Sequence, residues 1–383
     1  MSDTDSDVSE LDQRELSEAV AADKWVSQLG YCEDPETPLT ADTFPSKSGG
    51  KPAWLNPEHV LDVENATCGN CSEPLILLLQ LYTPEDEPVE AFHRAVYVFC
   101  CKNGGCHKQD WTQCFKVYRS QLPRDNPYYP PPEDEDEEQD DVAIDFTPKH
   151  FTPPKECVIC GMAGTKACGK CQAAYYCSRQ HQLVDWNSCG HKQYCNNSNA
   201  KEQTKLRAAR LFTEMEIVSE PEGQGEDGKE EEAQKEHTSK ETGERSNETA
   251  LALRGDEAYE NSAVDVDQAF LKFQLKLGLY PDQVVRYERV EYDMPDREPL
   301  WVQQGSKPSM VPACDRCGGP RTFEFQILPT LLNYLGISHT ADDSLDWGSL
   351  YVYTCKHNCS ISPEVFVPEY IWKQDFTAEG MKL

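Results

Sequence analysis

The chain has no run of the roughly 18 consecutive apolar residues that a membrane-crossing helix requires. Its first residues, Met1-Ser2-Asp3-Thr4-Asp5-Ser6-Asp7, are acidic and carry no apolar core, so no secretory leader is expected. Basic residues are scarce, with 36 Lys and Arg against 67 Asp and Glu, for a net charge of −31. This argues against a phosphate backbone as the main partner, because counterion release needs Lys and Arg. The same charge favours a basic protein partner through electrostatic steering; the plainer reading is that it keeps the chain soluble. Only nine histidines are present, and none stands in a recognisable nucleophile motif. No catalytic set is found, and the chain is not expected to be an enzyme. Gly49-Gly50-Lys51 invites a phosphate-loop reading, but Pro52 occupies the place of the required Ser or Thr. It reads better as a tight turn that delivers Trp54 to the core.

Cysteine, by contrast, is abundant, with 18 residues. With no leader, a reducing compartment is expected, cytoplasmic and nuclear, where clustered cysteines serve as metal ligands more often than as crosslinks. They fall in a pattern that repeats. Pro52-Ala53-Trp54 precedes Cys68-Gly69-Asn70-Cys71, an apolar run Leu75–Tyr82, and Tyr97-Val98-Phe99-Cys100-Cys101 with Cys106. Pro299-Leu300-Trp301 precedes Cys314-Asp315-Arg316-Cys317, a run Thr322–Leu328, and Tyr351-Val352-Tyr353-Thr354-Cys355 with Cys359. Thirteen residues separate Trp54 from Cys68 and twelve separate Trp301 from Cys314. The strands are short, β-branched or aromatic, and bounded by prolines, so the two stretches read as copies of one antiparallel unit. Trp54, Trp301 and Trp372 are expected in cores or between the halves.

Each copy offers a four-thiol set. The second is Cys314, Cys317, Cys355 and Cys359. The first is Cys68, Cys71 and Cys106 with either Cys100 or Cys101; alignment of Phe99 with Tyr353 selects Cys101. A redox role for these pairs would want an isolated pair at a helix start beside a βαβ pattern, and each pair here has distant partners instead. Cys32, Cys114 and Cys189 read as free thiols.

Between the copies lies Cys157-x2-Cys160-x7-Cys168-x2-Cys171-x5-Cys177-x3-His181-x9-His191-x3-Cys195. Eight ligands with two C-x2-C pairs suit two tetrahedral zinc ions. The spacing resembles the MYND finger, down to Tyr175-Tyr176-Cys177-Ser178, Asp185-Trp186 and His191-Lys192. That resemblance implies cross-braced ligation, with Cys157, Cys160, Cys177 and His181 on one ion and Cys168, Cys171, His191 and Cys195 on the other. His181 stands where most such fingers have cysteine. All four sets would be closed and thiolate-rich, the structural pattern of zinc.

The expected class is mainly β with short helices (α+β): two homologous zinc-stapled antiparallel halves that pack together, an inserted double-zinc finger, and disordered acidic linkers. In order, these are an acidic tail at 1–24, the first half at 25–127, a Pro-rich and acidic linker at 128–149, the finger at 150–197, an acidic linker at 198–263, and the second half at 264–383. Glu133–Asp141 holds eight carboxylates, and Glu214–Glu260 holds sixteen acidic and five basic residues, compositions that favour disorder. A helix is expected near Ala269–Leu277 and a short one at Pro329–Leu335.

The assembled pattern resembles the programmed cell death protein 2 family. It does so through the string Phe44–Leu55, the cysteine sets, Asp346-Trp347-Gly348 and Trp372-Lys373-Gln374-Asp375. The resemblance implies a dedicated chaperone of a newly made basic small-subunit ribosomal protein (S-two, universally uS-five), escorting it into 40S subunit biogenesis. It also implies that the paired halves carry the activity and that the finger is an accessory. The competing reading is a transcriptional or signalling adaptor whose finger binds proline-rich peptides. A monomer is expected, since two copies in one chain can satisfy each other.

Overall fold

The structure, a computed structural model, describes residues 26–130, 146–196, 200–223, 267–289, 297–338, 343–362 and 364–376. The expectations for the acidic tail, for Glu133–Asp141 and for 224–263 fall outside the described residues. In chain order the elements are β1 (Gln28–Glu33), β2 (Lys47–Ser48), β3 (Ile76–Tyr82), β4 (His93–Cys100), α1 (Gly104–Asp110) and β5 (Phe115–Leu122). The finger contributes β6 (Lys166–Ala167), β7 (Tyr175–Tyr176), α2 (Arg179–Ser188) and α3 (His191–Tyr194). Then come α4 (Ala200–Ala208), β8 (Met215–Pro221), α5 (Gln268–Leu279), β9 (Gln283–Tyr287), β10 (Arg321–Ile327), β11 (Ser349–Cys355) and β12 (Val367–Gln374). The chain is mostly β, with few and short helices.

The apolar runs read as strands are strands, and ten strands close into one barrel in the order β1-β8-β2-β3-β4-β5-β12-β11-β10-β9 and back to β1. Every neighbouring pair is antiparallel. The sequence suggested two separate β-units packed together. Instead β5 pairs directly with β12 (Val117 opposite Glu369, Arg119 opposite Val367), so one continuous sheet runs through both. Closure removes the sheet edges that each short meander would otherwise expose.

The meanders β3-β4-β5 and β10-β11-β12 share details beyond their order. Each has a register break starting six residues past its second C-x2-C cysteine, at Leu77/Leu79 and at Phe323/Phe325. Gln80 accepts from Ala53 N (2.9 Å) and donates to Ala53 O (2.9 Å), while Gln326 accepts from Leu300 N (3.0 Å) and donates to Leu300 O (3.1 Å). The Tyr97 hydroxyl takes Leu55 N–H at 2.8 Å and the Tyr351 hydroxyl takes Val302 N–H at 3.0 Å. Trp54 lies on Tyr97 and Trp301 on Tyr351, with ring centroids 5.2 and 4.6 Å apart. A buried glutamine needs such partners, and in both meanders it clamps the backbone beside a tryptophan.

Two boundaries differ from expectation. Residues 198–263 were expected to be a disordered linker, yet α4 and β8 lie within that range, and Leu211 and Phe212 between them are buried in the main core. β8 fills the gap between β1 and β2. Of its residues only Ile217 is buried, so its acidic composition hid it. The linker at 128–149 also begins too early, because the buried Tyr129 donates to Leu55 O at 2.8 Å.

The finger is part of the same body. Cys157, Ile159, Cys160, Met162 and Cys177 belong to the barrel's hydrophobic cluster. The Trp54 indole donates to Gly161 O at 2.9 Å, and Ala163 N donates to Leu61 O at 3.0 Å. At the other end, α5 is capped by the Asp267 carboxylate on Ala269 N and sets Phe273 against Leu300, Val302 and Leu328. The expected short helix at Pro329–Leu335 is a 3₁₀ segment over Pro329–Tyr334.

Candidate metal centres

Four groups of thiol and imidazole donors converge, and within each the ligand atoms all lie within 4.8 Å of one another. They are Cys68, Cys71, Cys101 and Cys106; Cys157, Cys160, Cys177 and His181; Cys168, Cys171, His191 and Cys195; and Cys314, Cys317, Cys355 and Cys359. The cysteines are free thiols rather than disulfides. Zinc–sulfur bonds of about 2.3 Å at tetrahedral angles put sulfurs about 3.8 Å apart, and a sulfur–imidazole edge is about 3.5 Å. Sγ separations are 3.8 Å for Cys71–Cys101, 3.6 Å for Cys160–Cys177, 3.9 Å for Cys168–Cys195, 3.8 Å for Cys314–Cys359 and 3.6 Å for Cys317–Cys355. His181 Nδ1 lies 3.5 Å from Cys157 Sγ and 3.3 Å from Cys177 Sγ, and His191 Nε2 lies 3.6 Å from Cys171 Sγ. The donor sets therefore fit zinc in chemistry and in spacing.

Local backbone explains why the C-x2-C spacing works. In all four turns the residue four beyond the first cysteine has positive φ: Ser72, Gly161, Gln172 and Gly318. Its N–H returns to that cysteine's carbonyl at 2.9, 2.9, 3.0 and 2.8 Å respectively. This curls the chain so that both thiols face one point. Glycine suits the left-handed position at 161 and 318, while Ser72 and Gln172 adopt it at some cost.

Cys101 rather than Cys100 joins the first set. Cys100 ends β4, and successive side chains of a strand point to opposite faces. Cys100 Sγ lies 3.2 Å from Cys101 O and 3.7 Å from His107 Nε2. Burial pushes its thiol up, and that of Cys114 to about 12. Cys114 sits beside the first set, 3.4 Å from Asn70 Nδ2. Burial likewise raises Cys189, whose Sγ lies 3.5 Å from Leu206 O, apart from the set containing His191.

Residues outside the ligand pattern hold the ligands in place, and spacing alone did not reveal them. Asp185 is fully buried and accepts from Tyr176 Oη at 2.8 Å and from Arg207 Nε and Nη2 at 2.7 and 2.8 Å. Its Oδ2 lies 3.6 Å from His191 Nδ1, and the Gln203 amide lies 3.0 Å from the same nitrogen. With Nε2 turned to the thiols, Nδ1 is the nitrogen to be oriented from outside, as histidine ligands require. Gln203 and Arg207 both come from α4, which supplies this support from what composition marked as linker.

Two interleaved donor sets over residues 157–195, carried by one hairpin and two short helices, have the cross-braced arrangement of a zinc finger, and family models agree. A MYND finger model matches residues 157–195. The N-terminal domain of programmed cell death protein 2 matches residues 26–136, and the corresponding C-terminal domain matches residues 267–375. The chain belongs to the programmed cell death protein 2 family. It is 34% identical over 378 residues to "Programmed cell death protein 2" of Bos taurus, covering 92% of this chain and 97% of that one. The Mus musculus protein of the same name is 35% identical over 356 residues, covering 91% and 96%. A Schizosaccharomyces pombe protein named "Probable 20S rRNA accumulation protein 4" is 32% identical over 110 residues, 27% of this chain and 26% of that one. No solved structure matches.

Proposed function

We propose that the protein is a non-enzymatic chaperone that escorts a newly made basic small-subunit ribosomal protein into 40S subunit assembly. The observation that carries the ribosomal assignment is the likeness to a relative named for 20S rRNA accumulation. The net charge of −31 supports a basic client, which an acidic surface would attract and shield. In this reading each of the four donor sets holds one zinc ion, and the two meanders are copies of one unit, as their matched glutamine clamps suggest. The protein works as a monomer in cytoplasm and nucleus. Capture of the tagged full chain from cells during protein synthesis, in mild low-salt buffer, tests the proposal. The expected result is co-purification of the small-subunit protein S-two, weakening as salt rises. Its absence from the captured material would overturn the reading.

A second reading, an adaptor for proline-rich peptides, is favoured by one feature. A groove of about 940 Å³ opens between barrel, finger entry and α4, with Leu39, Pro57, Val60, Phe151 and Val158 among its lining. Apolar and aromatic grooves suit polyproline segments. Phe151→Glu would abolish capture of such peptides while leaving ribosomal-protein capture intact, if the two activities are separate. Deletion of the finger is a poor test, because the finger shares the barrel's core.

A further inference from the structure

The Cys314, Cys317, Cys355 and Cys359 set is completed by a residue from the other end of the chain. Arg119, on β5, is fully buried. Its Nη2 lies 3.6 Å from Cys359 Sγ, its Nη1 donates to Cys359 O at 3.2 Å, and its Nε donates to Glu369 Oε1 at 2.8 Å. The second oxygen of Glu369 accepts Cys355 N–H at 3.1 Å and Arg321 Nε at 2.9 Å. Arg321 in turn donates to Pro312 O at 3.1 Å and Ala313 O at 2.7 Å, just before Cys314. The triad Arg119–Glu369–Arg321 thus grips the backbone at or beside three of the four ligands. The fourth, Cys317, is exposed and accepts Gly319 N–H at 3.3 Å.

Four thiolates around one divalent cation carry a net charge of −2. An arginine hydrogen-bonded to one of them offsets that charge and lowers the nucleophilicity of that sulfur. The first set is buttressed differently, by Asn70 donating to Cys106 O at 2.9 Å. Arg119 reaches Cys359 only because β5 pairs with β12, across the seam between the N-terminal and C-terminal segments.

We propose that Arg119 is a positioning residue for the C-terminal metal centre, so that this centre retains its ion fully only when the N-terminal segment is docked. Arg119 compensates the thiolate charge, fixes the Cys359 loop and, through Glu369, orients Cys355. Metal retention at one end of the chain then reports that the barrel seam has closed. The inference stands whether or not the ribosomal reading does, since its readout is metal and thiol chemistry.

The test uses the full chain with Arg119→Met and Arg119→Lys. Zinc transfer to a colorimetric chelator is timed, and newly exposed thiols are mapped by alkylation and mass spectrometry. For Arg119→Met, the zinc released from the C-terminal set should leave about tenfold faster or more, with alkylation at Cys314, Cys317, Cys355 and Cys359. Cys68, Cys71, Cys101, Cys106 and the finger cysteines should keep wild-type rates. Arg119→Lys, which keeps the charge but not the forked contacts, should fall between. Wild-type release from the C-terminal set, or equal acceleration at all sets, would overturn the proposal. Loss of the circular dichroism signal of the fold in both variants would overturn it too, by assigning Arg119 to the barrel rather than to the metal.

Discussion

Arg94 and Glu324 meet across the barrel interior. Their strands, β4 and β10, are not neighbours in the sheet, yet both side chains are fully buried. Arg94 Nη2 donates to Glu324 Oε2 at 2.7 Å and Nη1 donates to the other oxygen, while Thr354 Oγ1 also bonds the carboxylate. Arg94 Nη2 further reaches Thr354 Oγ1 at 3.0 Å, and Arg289 Nη1 reaches the same hydroxyl at 2.9 Å. Glu324→Gln should leave a buried guanidinium uncompensated and cost about 3–5 kcal/mol. The double replacement Arg94→Met with Glu324→Leu should recover most of that loss. Calorimetric unfolding of the three proteins measures both effects.

The same pair gives the barrel an acid limit. Burial alone would raise the Glu324 pKa, but Arg94 and its hydrogen bonds, with Arg289, outweigh it and hold the carboxyl down at about 2. A carboxylate held below its unfolded value near 4.3 contributes stability that is complete above that value. The contribution fades as pH falls from about 4.3 through about 2. Thiolate sites shed metal in the same range, so the informative quantity is the difference between wild type and Glu324→Gln. That difference should be constant at neutral pH and shrink on acidification through this window, as followed by denaturant titration.

Metal removal should unfold the barrel as well as the finger. Structural zinc contributes roughly 10–16 kcal/mol per site, comparable with the whole stability of a domain. Two of the donor sets take a ligand from the end of a barrel strand, Cys101 just past β4 and Cys355 closing β11, and the first finger set is packed into the barrel core. Exhaustive chelation is expected to remove the β signal in the far ultraviolet and to make the chain protease-sensitive throughout. Survival of both would show that the barrel stands without metal.

The Asp185 carboxylate gives a site-resolved prediction within the finger. Asp185→Asn breaks the forked pair with Arg207 and withdraws the acceptor facing His191 Nδ1. Zinc affinity at the Cys168, Cys171, His191 and Cys195 set should fall about 10- to 100-fold. The Cys157, Cys160, Cys177 and His181 set should be unaffected. Competition with a chelator, with thiol mapping, distinguishes the two.

Where the chemistry is local, the sequence is readable. Each C-x2-C turn declares itself because two thiols must leave one tight bend together, and aligning Phe99 with Tyr353 selects Cys101, the thiol that converges with Cys68, Cys71 and Cys106. Features that depend on distant pairing are hidden. β8 carries one buried side chain, Ile217, and acquires its strand conformation from β1 and β2 on either side. Gln203 and Arg207 look like any polar helix residues until α4 is placed against His191 and Asp185. The merging of two meanders into one barrel depends on β8 and β9 closing the ring, which no repeat of cysteines could announce.

That ring has a consequence for how the chain is made. β1 leaves the ribosome well before both its partners, β8 and β9, which are encoded far downstream of it. From Glu33 to Gln283 the ribosome adds 250 residues, which takes roughly 12–50 s at ordinary elongation rates. β8 begins at Met215, so for the first 182 of those residues (215 − 33) β1 has neither neighbour, and its backbone donors and acceptors are open to any passing strand. The nascent protein therefore passes through a long window in which its own first strand needs shielding.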